Sequence, residues 1–403
     1  MKILLVNKFL YQKGGSETYV IKLGKKFEKE GHEVQYFGMA NSKNTLKNDY
    51  NLYVKNKEFS NNNFFNKFNI LSLIYNKEAY KKMLMLLKTY KPDLTILNNI
   101  EYHLTPSIID AFKKYKDKVN NAAKLFYVTH DFQIVCPSHG LFDINISPCE
   151  KCLDGSYWNC FKTKCHKNSR VKSLIATLDS IYWHRKNTYK YVDKYICPSN
   201  FLKSKLDTDK LLKNKTIAIH NFIDKIKTKK YKKEDYIVYF GKLCKEKGTD
   251  TLIEVAKQLP DIKFVFVGYG PSEKKIKDID NCEYLGFKSG DELIKIISKA
   301  RFSICASECY ENCPFSVIES QMYGTPVIGS NRGGIPELID IGKTGEVFEA
   351  GNIDDLKKHI NNLWNDKEKL NNYSNNCFEK KVITIDDYYL KIIDLYNEVN
   401  LWK

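Results

Sequence analysis

The chain has 403 residues, 43% hydrophobic and 28% charged, enough for two domains of roughly 200 residues, each burying its own core. No window approaches the ~18 uninterrupted apolar residues of a membrane-spanning helix. The apolar run in Met1-Lys2-Ile3-Leu4-Leu5-Val6-Asn7 is too short for a signal-peptide core, so the expected location is the cytoplasm. The formal charge of +17, from 65 Lys and Arg against 48 Asp and Glu, leaves nucleic acid, an anionic membrane surface or an anionic small substrate open as partners. Lysines covering solvated faces are the plain alternative, since they are scattered rather than striped.

In chain order, short apolar runs alternate with helical patterns, which predicts βαβ units and parallel sheets. The first half reads as strands at Ile3–Val6, Val34–Phe37, Leu94–Leu97, Leu125–Val128, Tyr195–Cys197 and Ile217–Ile219. Between the first two lies a helix with Tyr19, Val20, Leu23 and Phe27 on one face, Ser16 as its N-cap and Gly31 as its stop. Residues 41–69 are Asn-rich and polar and read as loop. Segment 225–235 is a Lys-rich linker, between a domain over 1–224 and a second over 236–382. The second half gives strands at Ile237–Phe240, Phe264–Val267, Glu283–Leu285, Phe302–Cys305, Pro326–Gly329 and Gly345–Phe348. A helix after Gly248 carries Leu252, Val255, Ala256 and Leu259 before Pro260 ends it. The apolar pattern Tyr389, Ile392, Leu395 and Val399 predicts a final helix, within 383–403. No internal repeat of solenoid period is present. The fold class is therefore α/β: two Rossmann-like domains with parallel sheets, a ligand being expected in a central cleft outside the C-terminal strand ends.

Five motifs carry chemistry. Gly14-Gly15-Ser16-Glu17 follows the first strand and opens a helix, where backbone can approach a ligand and free N–H groups point at it; a simple tight βα turn explains it equally well. Phe240-Gly241-Lys242 and Glu246-Lys247-Gly248 set two lysines five residues apart at a strand end, within reach of a diphosphate; solvated turn lysines are the bland reading. In Glu308-Cys309-Tyr310-Glu311-Asn312-Cys313-Pro314-Phe315-Ser316-Val317-Ile318-Glu319, Pro314 suits the first turn of a helix running to Gly324. That places Glu311 in the preceding loop and Glu319 a turn and a half into the helix, so both carboxylates can accept from sugar hydroxyls; ordinary surface glutamates are the alternative. Gly324-Thr325-Pro326-Val327 to Gly333-Gly334-Ile335-Pro336-Glu337 is a strand and a glycine turn into another helix start. Val128-Thr129-His130-Asp131-Phe132 sets a histidine at a strand end, with Asp131 orienting it or capping the next helix.

Cysteines number twelve, five of them between Cys136 and Cys165. Cys149 and Cys152 form a C-x2-C, followed by Cys160 and Cys165, a spacing that suits a structural zinc stapling a long loop of about 136–170. Redox pairing of Cys149 with Cys152, or a reduced loop without metal, are the other two readings.

Taken in order, these motifs resemble the retaining family-four glycosyltransferases of the GT-B fold. The match spans nearly the whole chain and is most specific from Ser307 to Glu337. The resemblance implies that Glu311 contacts donor-sugar hydroxyls and Glu319 the nucleotide ribose. It assigns the diphosphate to Lys242 and Lys247, with Gly15 lining it and Gly241, Asn312, Cys313, Pro314, Phe315 and Ser316 completing the donor site. It brings His130 to the reacting centre and Gly14 and Ser16 to the acceptor. Lys242 departs from the family's usual Arg, keeping the charge without the bidentate fork. A subgroup carries a similar Cys-rich insertion, which here would overhang the cleft and shape the acceptor site; GT-B chains also return a last helix to the first domain. The implied function is transfer of a hexosyl-type sugar, with retention, from a nucleotide-diphosphate sugar to a glycan or lipid-linked acceptor in cell-surface polysaccharide biosynthesis. No Asp-x-Asp metal site stands out, so no cofactor is expected beyond the structural zinc, and the location becomes cytoplasmic or peripheral at the inner membrane face. The competing functions are a zinc-stabilised nucleic-acid-binding protein, which lacks an arginine-rich or aromatic stripe here, and a sugar phosphorylase or epimerase on the same fold.

Overall fold

The computed structural model describes residues 1–56, 67–224 and 230–401. Among them, twelve strands form two six-stranded sheets, every pairing parallel. The first contains β1 (Lys2–Val6), β2 (Glu33–Phe37), β3 (Leu94–Leu97), β4 (Lys124–Val128), β5 (Lys194–Cys197) and β6 (Thr216–Ala218), in the order β2-β1-β3-β4-β5-β6. The second contains β7 (Glu234–Phe240), β8 (Phe264–Val267), β9 (Cys282–Tyr284), β10 (Ala300–Cys305), β11 (Val327–Ser330) and β12 (Gly345–Phe348), ordered β12-β11-β10-β7-β8-β9. Each lies within a residue or three of its expected span. Strands such as Leu94-Thr95-Ile96-Leu97 and Phe264-Val265-Phe266-Val267 are buried along their whole length, as a sheet covered by helices on both faces demands.

Strand order locates where a ligand can sit. In the first sheet the winding reverses between β1 and β3, and in the second between β7 and β10. At such a switch point the loops leave the strand ends in opposite directions and open a crevice in the sheet edge.

The chain divides into two compact units, Met1–Ile144 with Cys149–His220 and Ile385–Lys403, and Asn145–Pro148 with Asn221–Thr384. The boundary after His220 corrects the expected one at 224. Ile223 is buried with Val317 and Val327 and its amide bonds to Ile383 O at 3.0 Å, so it belongs to the second core. The expected linker is shorter too: β7 already starts at Glu234, while residues 225–229 lie outside the described residues. In the stretch expected as loop, 41–69, a helix starts at Lys67 and Met39 bridges to Val54; residues 57–66 lie outside the described set.

The final helix, Ile385–Leu401, packs on the helix Gly15–Lys29 within the first unit. Tyr19 and Tyr388 share a buried hydroxyl–hydroxyl bond of 2.8 Å, and His32 meets the Tyr389 hydroxyl at 2.9 Å. Among the described residues no helix is long and apolar enough to cross a membrane.

Candidate active site

In the second unit, four separate motifs build one constellation at the β7/β10 switch point. β7 ends at Phe240, and Gly241 and Lys242 follow with their side exposed. The Tyr239 hydroxyl donates to Lys242 O at 2.8 Å, which pins the backbone and leaves the Lys242 side chain exposed. The next turn carries Glu246, Lys247 and Gly248. Glu246 O accepts the amides of Glu308 (3.1 Å) and Cys309 (3.3 Å), which ties this turn to the loop after β10. Gly248 stands at φ +70°, and a Cβ there would fall 1.8 Å from Ala306 O, so only glycine permits the approach.

Glu311 is the centre of that loop. Its carboxylate forms an ion pair with Lys247 and accepts from Ser307 Oγ at 2.9 Å. Burial works against the Lys247 charge, but Glu311 outweighs it and pushes the ammonium up to about 12. Lys247 therefore stays charged at any physiological pH. The backbone of Glu311 is held from the opposite side: Gly334 N donates to Glu311 O at 2.7 Å, and a Cβ on Gly333 (φ +61°) would stand 2.1 Å from the same oxygen. The glycine pair thus serves the Glu311 loop. It does not open an α-helix as expected; only a single 3-10 turn, Pro336–Leu338, follows.

The helix over Phe315–Met322 begins with Pro314 as N-cap rather than inside its first turn, because ψ of 123° keeps that residue extended. No side chain of Pro314 caps it; the Val317 amide bonds to Pro314 O at 3.2 Å, and the positive dipole end lies at this turn. Glu319 is its fifth residue, partly buried, and close enough to Tyr323 to help push that hydroxyl up to about 12, after burial itself. Asn312, Phe315 and Ser316 are half-buried at the helix entry. Cys313 is buried and its carbonyl accepts Asn221 Nδ2 at 3.2 Å, which makes it an anchor of the loop. Arg332, which the sequence reading passed over, precedes the glycine pair, and its buried Nε has no hydrogen-bond partner among the described residues.

In the first unit the candidate residues gather at the β1/β3 switch point and the end of β4. Gly14 is the extended N-cap of the helix Gly15–Lys29, and Ser16 is its second residue. This corrects the expected Ser16 cap: the hydroxyl sits inside the first turn and accepts Asn99 Nδ2 at 2.6 Å. Asn7 Nδ2 donates to the buried Glu17 at 3.3 Å, and Lys8 pairs with the nearly buried Glu101 at 2.7 Å. His130 Nε2 lies 3.1 Å from Asn98 Oδ1. Since Asn98 Nδ2 reaches Val6 O, the amide oxygen faces the imidazole, and Nε2 carries the proton. Burial lowers His130 to about 4, with Glu101 opposing, so the ring is neutral at pH 7. The ring meets Tyr19 edge-on at 5.3 Å. Asp131 accepts the amide of Gln133 at 2.9 Å, capping the following turn, and its carboxyl faces His139 at 4.0 Å. Burial and the Glu101 charge push Asp131 up.

The Cys-rich insertion is held below this loop. Among the described residues no three His, Cys, Asp or Glu side chains stand where they could hold a metal. Of the expected set, Cys149 is partly exposed but close enough to help raise Cys152, and Cys152, Cys160 and Cys165 cluster around Tyr157 and Ile181. The Cys160 and Cys165 sulfurs share a hydrogen bond at 2.8 Å. Two thiolates on one tetrahedral zinc, at ~2.3 Å each, stand about 3.8 Å apart, so this pair does not have the spacing of metal ligands. Nor are Cys149 and Cys152 the paired thiols. Cys136, outside the expected set, is buried near enough to help raise both Cys152 and Cys160.

Two doubly wound parallel sheets, each with polar residues converging on its switch point, define a GT-B protein. Residues 13–226 match the model of Glycosyltransferase Family 4, and residues 221–380 that of Glycosyl transferases group 1. The chain belongs to this glycosyltransferase family. It is 33% identical over 184 residues to an uncharacterised glycosyltransferase of Methanocaldococcus jannaschii, covering 44% of this chain and 51% of that protein. It is 27% identical over 232 residues to an uncharacterised 41.2 kDa protein in the cps region of Klebsiella pneumoniae, covering 50% and 64%. The chain thus spans between half and two thirds of the length of these relatives. Among solved structures, Anabaena HepE in complex with UDP superposes with a TM-score of 0.68 at 15% identity, covering 99% of this chain and 100% of HepE, a likeness of fold.

Proposed function

We propose that this protein transfers a hexosyl-type sugar from a nucleotide-diphosphate sugar to a glycan or lipid-linked acceptor, with retention and without a divalent metal. The observation that carries the reading is the Lys247–Glu311 pair on a glycine-cradled loop beside a helix N-terminus. Such a helix end suits a phosphate. Lys247 supplies a permanent positive charge where a diphosphate leaves, and Lys242 a second, mobile one. Glu311 accepts from donor-sugar hydroxyls, and Glu319 from the ribose. Gly241, Asn312, Pro314, Phe315 and Ser316 shape the donor pocket, and Gly15 lines the diphosphate. Neutral His130 hydrogen-bonds near the reacting carbon, while Gly14 and Ser16 face the acceptor. With the leaving-group charge met by fixed cations and backbone dipoles, the remaining task is to align both substrates on one face. HepE's complexes with UDP and with UDP-glucose support a nucleotide-sugar donor. The K. pneumoniae relative from a cps region supports a role in surface polysaccharide synthesis, which fits work at the inner membrane face by a chain of +17.

The test is a thermal-shift panel of UDP, GDP, ADP and their sugars on wild type and Glu319→Ala. A ligand that binds only the folded state raises its melting temperature. One nucleotide family should stabilise the wild type and lose that effect in Glu319→Ala; no response from any nucleotide would remove the donor site from this loop. Turnover should survive EDTA, and loss of turnover with the fold intact would overturn the metal-independent step.

A further inference from the structure

We propose that Cys160 and Cys165 form a dithiol site that closes reversibly to an intramolecular disulfide by exchange with a low-molecular-weight disulfide. The geometry of these two thiols is independent of the transferase reading. Cys160 sits in the one-and-a-half-turn helix Trp158–Thr163. Lys164 follows in the left-handed region at φ 53°, which folds the chain back so that Cys165 N meets Cys160 O at 3.3 Å. This reversal sets the two sulfurs 2.8 Å apart. A disulfide needs ~2.05 Å, so about 0.8 Å of approach completes it. The loop being closed is six residues and already formed, so little chain entropy is at stake.

Exposure assigns the order of events. Cys165 is half-exposed and Cys160 is buried at 1%. Cys165 as thiolate attacks one sulfur of the incoming disulfide and expels the first thiolate, giving a mixed disulfide. Cys160 then loses its proton to that thiolate and attacks Cys165 Sγ, expelling the second. The two protein thiols lose two electrons and two protons, and the small disulfide leaves as two thiols.

The site touches the His130 loop through rings. His166, next to Cys165, packs 6.2 Å from Tyr102 and 6.0 Å from His139. Tyr102 stacks on His139 at 5.3 Å and 12° and its hydroxyl meets His139 Nε2 at 3.2 Å. His139 in turn faces Asp131.

The experiment incubates the full chain, purified in reductant and without a metal-affinity resin, in reduced and oxidised glutathione at graded ratios. Alkylation and mass mapping then read the thiols. The expected result is a loss of about 2 Da, a fall in alkylated cysteines from twelve to ten, and a crosslink between the peptides carrying Cys160 and Cys165, all reversed by dithiothreitol. Cys165→Ser should abolish the loss and Cys149→Ser should leave it intact. Twelve alkylated cysteines at every ratio, a crosslink at any other pair, or about one zinc per purified chain displaced by thiol oxidation would each overturn the proposal. The wild-type map decides even where a variant fails to fold.

Discussion

The two switch points are held together by different chemistry. In the second unit the site is held by a charge pair, Lys247 with Glu311, and by backbone packed too tightly for any Cβ at Gly248 or Gly333. In the first unit the group at the end of β4 is an uncharged imidazole held by the Asn98 amide and met edge-on by Tyr19. Fixed positive charge is what the proposed departing diphosphate needs. In the first unit the Lys8–Glu101 pair is charged as well, but the imidazole at the end of β4 is neutral.

The largest effect is expected at Glu311. Glu311→Gln keeps the shape but removes the anion that holds Lys247, and kcat/KM should fall by about 10²–10³, the scale of losing one preorganised electrostatic partner. A fall of less than threefold, with sugar transfer measured directly, would dissolve the distinction between the two halves. Next comes Gly333→Ala. Its Cβ meets Glu311 O, so the loop must shift; unfolding free energy should drop by roughly 1–3 kcal/mol, and the nucleotide-induced rise in melting temperature should shrink with it. An unchanged ligand response would mean that the glycine pair does not support the donor loop.

A third prediction concerns pH and stability. Lys233, at the foot of β7, donates to Ser298 O at 3.0 Å and Thr325 Oγ1 at 2.7 Å, and burial lowers it to about 7 from 10.5. Its folded-state value lies below the unfolded one, so between pH 7 and 10.5 the unfolded chain binds the extra proton. Stability should therefore rise with pH across that window, by up to about 4 kcal/mol. Lys233→Met should flatten the rise, as followed by urea unfolding at pH 7, 8 and 9. The smallest effect is a null one in the rate. His130 is neutral above about 4, so kcat should show no ionisation of this ring between pH 5.5 and 8. A histidine inflection near 6.5 that vanishes in His130→Asn would make the imidazole of the first half-site a charged group as well.

Much of this was legible in the chain. The strands could be read because doubly covered strands are apolar throughout, as at Leu94–Leu97, and the helix after Pro314 because proline fixes φ where a helix begins. Glu311 and Glu319 were legible for the same reason: their offset from Pro314 sets their place on loop and helix. Other features were not. Gly14, not Ser16, stands at the N-cap of the first helix, since a hydroxyl two positions further in finds Asn99 instead. Asn98 and Arg332 carry no local pattern that marks them.

The sequence by itself determined the two parallel sheets, the placement of the loops after β1, β4, β7 and β10, and the residue types those loops present, because these depend on periodicity and on backbone limits within a few residues. The tertiary structure alone decided which of those residues meet. That Lys247 finds Glu311, that Gly333 cradles it from 22 positions on, and that Cys160 pairs with Cys165 rather than Cys149 with Cys152 follow from chain reversals and strand order. Contacts of that kind are fixed by packing in three dimensions, and no spacing along the chain encodes them.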